Sequence, residues 1–127
     1  MNVRWKVTDS QGRKIILKQS TYDEHIIGDH GTRDGEIRKL MELKVKQTLI
    51  APDVIIEDSN SRHLYYNTIV IRYEMHDYKI KTLKVVVDTD RIPHEIVTWT
   101  PLRKGDSIKD GVIIYERETN YLSDKQI

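Results

Sequence analysis

The segment Ala51-Pro52-Asp53-Val54-Ile55-Ile56-Glu57 separates two kinds of pattern in the chain. Upstream of it, Ile37, Leu40, Met41, Val45 and Leu49 recur at the three-and-four spacing that makes one apolar stripe on a helix. Pro52 has no amide hydrogen to donate and clashes with the preceding turn, so that helix stops there. The spacing predicts a main helix over residues 35–50, capped by Asp34. Downstream, the pattern changes to β-branched and aromatic runs: Val54 to Glu57, Arg62 to Tyr73, Tyr78 to Asp88, Glu95 to Pro101 and Val112 to Glu118. Polar turns such as Asp58-Ser59-Asn60-Ser61 separate them.

Further upstream, Ser20 or Thr21 followed three residues later by Asp23 or Glu24 predicts a capping box, and Gly28 a stop, for a short helix over residues 21–28. Before it, Val3, Trp5 and Val7 alternate with polar residues, Asp9-Ser10-Gln11-Gly12 is turn chemistry, and Lys14 to Lys18 resumes as a strand. The expected architecture is α+β: an N-terminal hairpin and two helices packed on one face of a four- to five-stranded antiparallel meander, leaving the other face open. Alternation puts Leu83, Val85 and Val87, with Val97 and Trp99, under the helices. Lys84, Thr98, Thr82 and Thr100 then share the open face. That assignment depends on register, because a slip of one residue reverses it.

The chain has 127 residues, the size of one domain. A core over about residues 15–118 and a short tail over 119–127 are expected. Charged residues make up 32% and apolar ones 38%, against about 25% and about 45–50% in ordinary globular domains, so the core is small. Lys and Arg number 21 and Asp and Glu 20, a net charge of +1, which excludes the strongly basic footprint of a duplex binder. With no cysteine there is no disulfide, thiolate metal site or thiol nucleophile. No apolar run approaches the ~18 residues of a membrane span, and Met1 to Thr8 lacks a signal-peptide core, so a soluble cytoplasmic protein with no membrane partner is expected.

Among residues with chemistry to offer, His25 stands out, because a histidine titrates near ~6.5 and suits proton transfer at working pH. His30 follows five residues on, about 140° around an ideal helix, and is expected in the loop after Gly28, from which it can swing toward a substrate. The two do not form the four-apart histidine pair of a zinc helix, so no metal is expected, and no cofactor either, since no glycine run leads into Lys-Ser or Lys-Thr. His63, His76 and His94 are isolated at strand ends or turns and read as surface residues. Lys84, set in an apolar strand, must bring its ammonium to water, a carboxylate or an anion such as a phosphate. Arg62 can clamp a phosphate bidentately, and Tyr66, on the same strand face by parity, can stack a base or donate its hydroxyl. Arg103-Lys104-Gly105-Asp106 reads as a solvated turn of mixed charge.

The string of His25-Ile26-Ile27-Gly28-Asp29-His30 on a short helix, a longer helix, Ala51-Pro52-Asp53-Val54-Ile55, Arg62-His63-Leu64-Tyr65-Tyr66, Leu83-Lys84-Val85-Val86-Val87 and Glu95-Ile96-Val97-Thr98-Trp99-Thr100-Pro101 resembles the phage-associated branch of the barnase, EndoU, colicin ribonuclease and RelE-like (BECR) superfamily. The resemblance implies a metal-independent endoribonuclease, encoded by a phage or prophage, that acts on RNA and is paired in some cases with a neutralising or phage protein. It also implies that the short helix presents His25 to substrate and that the Thr98 hydroxyl donates to a phosphate oxygen. On that reading His25 is general base or general acid, Lys84 and Thr98 complete the catalytic set, and Arg62, Tyr66 and His30 bind substrate. The rival reading is a non-catalytic protein of the same fold that binds a protein or nucleic acid partner.

Overall fold

The computed structural model describes residues 2–28, 32–58, 61–74, 77–103 and 105–118; His30 and His76 lie outside them. The chain opens with the hairpin β1 (Val3–Thr8) and β2 (Lys14–Lys18), and then turns into α1 (Gln19–Thr21), which continues as a π-helical segment, Tyr22–Ile27. Two helices follow, α2 (Thr32–Leu40) and α3 (Glu42–Ile50). The remaining strands are β3 (Val54–Asp58), β4 (Arg62–Glu74), β5 (Asp77–Asp88), β6 (His94–Pro101) and β7 (Val112–Glu116).

The expected capping box does not form. The helix begins at Gln19, ahead of both candidate caps, after an extended Lys18, and no side chain caps it; Gln19 Nε2 instead donates to Asp23 Oδ1 at 3.1 Å. Gly28 ends the wide turn for a steric reason, since a Cβ there would lie 2.6 Å from the carbonyl oxygen of Asp23. The main helix is also broken: the amide of Met41 donates to the carbonyl of Arg38, a three-residue step that tightens the turn and splits the stripe. Met41, Val45 and Leu49 remain in the core, whereas Leu40 is turned out to solvent. Asp34 falls within α2 rather than at its cap.

The sheet is larger and more mixed than the expected four or five antiparallel strands. Seven strands run in the order β1-β2-β6-β5-β4-β3-β7. The β3 to β6 meander is antiparallel throughout, but β2 joins β6 in parallel through Ile15 opposite His94 and Ile16 opposite Glu95, and β7 pairs outside β3. Both additions bring together segments distant in sequence, which alternation within one strand cannot announce.

One face packs on the helices. Ile15, Leu17, Ile55, Tyr65, Ile69, Ile71, Leu83, Val85, Val87, Ile96 and Trp99 meet Tyr22, Ile26, Met41, Val45 and Leu49 there. Lys84 and Thr98 lie on the other face, as the alternation required, because Lys84 pairs with Tyr66 and Thr100 while Thr98 pairs with Val86. Ile96 departs from the expected row: a bulge between Val86 and Val87 sets it opposite Val87, on the helix side with Trp99, and brings Val97 to the second face.

The second face is not open along its length. Val54, Ile56, Leu64, Tyr66 and Val86 form a buried cluster there, joined by Val97 and Leu102. The strap that links β6 to β7 crosses it with its described residues 102–103 and 105–111. The Lys109 amide donates to the Tyr66 hydroxyl at 3.3 Å, and Lys109 Nζ pairs with Asp58 at 3.1 Å. At Gly111 a Cβ would lie 2.6 Å from Ile56 Cγ2, so only glycine allows the strap to pass this close to β3.

Candidate functional site

β6 lies at the centre of the site, because its outer edge is only partly paired. β2 covers His94 and Glu95 alone, and beyond them α1 and the π-helical segment run alongside the strand. α2 is fastened there by a reciprocal clamp. The Trp99 indole N–H donates to the Arg38 carbonyl at 3.0 Å, and the Arg38 guanidinium donates to the Trp99 carbonyl and, at 3.4 Å, to the Thr98 hydroxyl.

Between this helical wall and the strand ends lies a cleft of about 500 Å³, lined by Thr21, His25, Arg62, Asp88, Glu95, Ile96, Val97 and Thr98. Three of the residues singled out from sequence therefore meet in one cleft: His25 from the π-helical segment, Arg62 from the start of β4 and Thr98 from β6. The cross-strand ladder explains the convergence, since Arg62 pairs with Asp88 and Asp88 with Glu95, which makes a charged row at one end of the second face. Glu95 is held by Lys18 at 2.9 Å and by Arg91 at 3.9 Å, and Arg91 also reaches Asp88 at 3.8 Å. Lys18 and Arg91, outside the lining, thus offset the two carboxylates, and Arg62 is the cation that lines the cleft itself.

The other residues are placed elsewhere. Lys84 lies on the same surface, one ladder step from Thr98, but does not line the cleft. Tyr66 is buried under the strap, with its hydroxyl accepting from Lys109, so its ring offers no face to a base; burial pushes its phenol up. His30 lies outside the described residues. Glu95 and Asp88 are the lining groups that the sequence reading missed. Their signal was positional: both flank the turn between β5 and β6, which puts their carboxylates beside Arg62 once the meander is formed.

A second polar cluster lies on the helix face. Asp9 Oδ1 accepts the amides of Gln11 at 2.9 Å and Arg13 at 2.7 Å, while Oδ2 accepts the Tyr65 hydroxyl at 2.5 Å and Arg13 Nη1 at 3.4 Å. Burial, and then the bond to Asp9, push the Tyr65 phenol strongly up. His63 and His94, expected at the surface, are instead turned toward this interior, His63 being 9% exposed, with their rings edge to face at 6.0 Å. Burial is the main cause that lowers the His63 pKa, with Arg13 and His94 adding to it. Among the described residues, no three His, Asp or Glu side chains cluster so as to hold a metal ion.

Compared with known proteins, the chain matches no family model, no curated protein and no solved structure. No described helix is long and apolar enough to cross a membrane. The fold class, α+β with helices on one sheet face, stands on the structure itself.

Proposed function

We propose that the cleft beside β6 is the active site of a metal-independent endoribonuclease. The observation that carries this reading is the convergence of His25, Arg62 and Thr98, from three separate segments, with the ion-paired carboxylate of Glu95 in one cleft. Cleavage without a metal needs a base for the ribose 2′-OH, an acid for the leaving 5′-oxygen and donors for the charged phosphorane. Glu95, an ion-paired carboxylate, accepts rather than donates and takes the base role; His25, as imidazolium, gives its proton to the 5′-oxygen. Arg62 clamps the phosphate with its fork of N–H donors, and the Thr98 hydroxyl donates to a phosphate oxygen. Lys84, one ladder step away, contributes field rather than contact. The resemblance to BECR-type nucleases in the His25 helix and in the strand that carries Val97-Thr98 supports the same chemistry.

The test is cleavage of single-stranded RNA in excess EDTA. The expected products carry 2′,3′-cyclic phosphate ends, DNA survives for lack of a 2′-OH, and His25→Ala slows cleavage by about 10²- to 10⁴-fold. The net charge of +1 favours the second reading, a non-catalytic binding module. That reading takes over if a broad set of RNAs is left intact, or if His25→Ala cuts as fast as the parent.

A further inference from the structure

The strand that carries Thr98 into the cleft continues into a second, smaller cavity. It measures about 180 Å³ and is lined by Ile37, Arg38, Lys81, Thr100, Pro101, Leu102 and Arg103. This is below the roughly 300–1,000 Å³ of pockets that take whole small molecules, so it suits an ionic group rather than a base and sugar. Its charge is one-sided: three cations, from α2, β5 and the first turn of the strap, and no carboxylate in the lining. The His25 cleft, by contrast, has Asp88 and Glu95 against Arg62.

Like charges gathered in a small cavity repel one another, and an anion there converts that repulsion into attraction. Two of the cations are uncommitted: among the described residues, neither the Lys81 ammonium nor the Arg103 guanidinium makes a hydrogen bond or ion pair. Asp106 spends its carboxylate on the Arg103 amide, at 3.0 Å, rather than on the side chain. Arg38 has the opposite role. It lines this cavity while bonding Thr98 and the Trp99 carbonyl, so it stands between the two cavities. Thr98 and Thr100 share one strand face and lie two residues apart, about 6.7 Å along β6, which is on the order of one nucleotide step in an extended single strand.

We propose that the cavity formed by Arg38, Lys81, Thr100 and Arg103 is a second phosphate subsite that holds the backbone phosphate next to the scissile one. The inference rests on the ribonuclease reading of the His25 cleft and names its substrate more closely: single-stranded RNA with a phosphate on either side of a nucleotide, bound along β6. The scissile phosphate meets Arg62 and Thr98, and its neighbour meets Lys81 and Arg103, beside a Thr100 whose hydroxyl donates to the Pro101 carbonyl at 3.2 Å.

The experiment uses the full chain and the double variant Lys81→Gln/Arg103→Gln, which removes two charges from partly or fully exposed side chains and leaves the Arg38 clamp intact. Kinetics on a dinucleotide, with one internucleotide phosphate, are compared with those on a tetranucleotide. The parent prefers the tetranucleotide; in the double variant KM for the tetranucleotide rises about tenfold and most of that preference is lost, whereas Lys81→Arg keeps it. Binding of a single-stranded DNA tetranucleotide, which cannot be cleaved by 2′-OH attack, is measured against salt in parallel, and the salt slope falls in the variant by roughly 0.7, the loss of one phosphate contact. If RNA is not cut but the variant still binds the DNA oligonucleotide more weakly and with the shallower slope, the subsite stands and the nuclease reading falls. If RNA is cut but the variant keeps the parent's length preference and salt slope, the subsite is overturned and the nuclease reading stands.

Discussion

The molecule assembles a carboxylate, an arginine and a histidine twice, with opposite results. In the interior, Asp9, Arg13, Tyr65 and His63 sit on the helix face, and every lone-pair direction of Asp9 that the fold can reach is used, by two amides, a phenol and a guanidinium. In the cleft, Glu95, Arg62, Thr98 and His25 are solvent-accessible to differing degrees, and space of about 500 Å³ separates them. A buried carboxylate must be fully bonded or it destabilises the fold. A carboxylate at a cleft wall can leave some of its capacity for a substrate. Residue type alone therefore does not distinguish a structural tie from a reactive group; burial and remaining bonding capacity do.

The contrast predicts a double dissociation. The largest effect belongs to the cleft: His25→Ala lowers the cleavage rate by about 10²- to 10⁴-fold. Because His25 is an exposed side chain, thermal stability stays within about 0.5 kcal/mol of the parent. Asp9→Ala does the reverse. It strips acceptors from the Tyr65 hydroxyl and from the amides of Gln11 and Arg13, and each buried donor left unbonded costs about 1–3 kcal/mol. A loss of about 3 kcal/mol is expected in urea unfolding, with the rate per folded molecule unchanged. If His25→Ala unfolds the protein, or Asp9→Ala leaves the denaturation midpoint in place, the two clusters have been assigned to the wrong roles.

Half of this contrast was legible in the sequence. Asp9 reads as turn chemistry, and its Oδ1 does close the β1–β2 turn through Gln11 and Arg13. Its second oxygen meets Tyr65, 56 residues later, and nothing in a local pattern carries that distance. The strand limits were legible for the same local reason: alternation and flanking turn residues placed β3, β4, β5 and β6 within a residue or two of their observed ends. The parallel pairing of β2 with β6, the placing of β7 outside β3 and the strap over Tyr66 were not, because each is decided by which distant surface a segment covers. The same reasoning explains the site. His25 and Arg62 stood out by residue type and position and Thr98 only through the family resemblance, whereas Glu95 joined them only through a ladder whose bulge at Val86 and Val87 resets the register.

A smaller change sharpens the interior half. Tyr65→Phe keeps the ring in the core and removes one donor from Asp9, leaving the two amides and Arg13 in place. The expected loss is about 1–2 kcal/mol, less than for Asp9→Ala, because one bond is lost instead of several. The double variant Asp9→Ala/Tyr65→Phe should then lose clearly less than the sum of the two single changes, since the shared bond is removed once. Strict additivity in urea denaturation would show that the hydroxyl and carboxylate are neighbours without being energetically coupled.

The smallest effect concerns pH and the imidazole at the rim of the interior cluster. Burial lowers the His63 pKa, and the nearby Arg13 and His94 lower it further, while Glu57 and Asp9 oppose them without reversing the direction. In the unfolded chain the same group titrates near ~6.5. Between that value and the lower folded one, the unfolded state holds more protons than the native state, so stability rises with pH. The contribution is fully present above about pH 6.5 and is lost as the pH falls from there toward the folded value. His63→Leu, which fills much of the same space without a titrating nitrogen, should flatten the fall in melting temperature between pH 7.5 and pH 5.5 relative to the parent. If the fall stays as steep in His63→Leu as in the parent, the interior cluster drops out of the account of acid sensitivity.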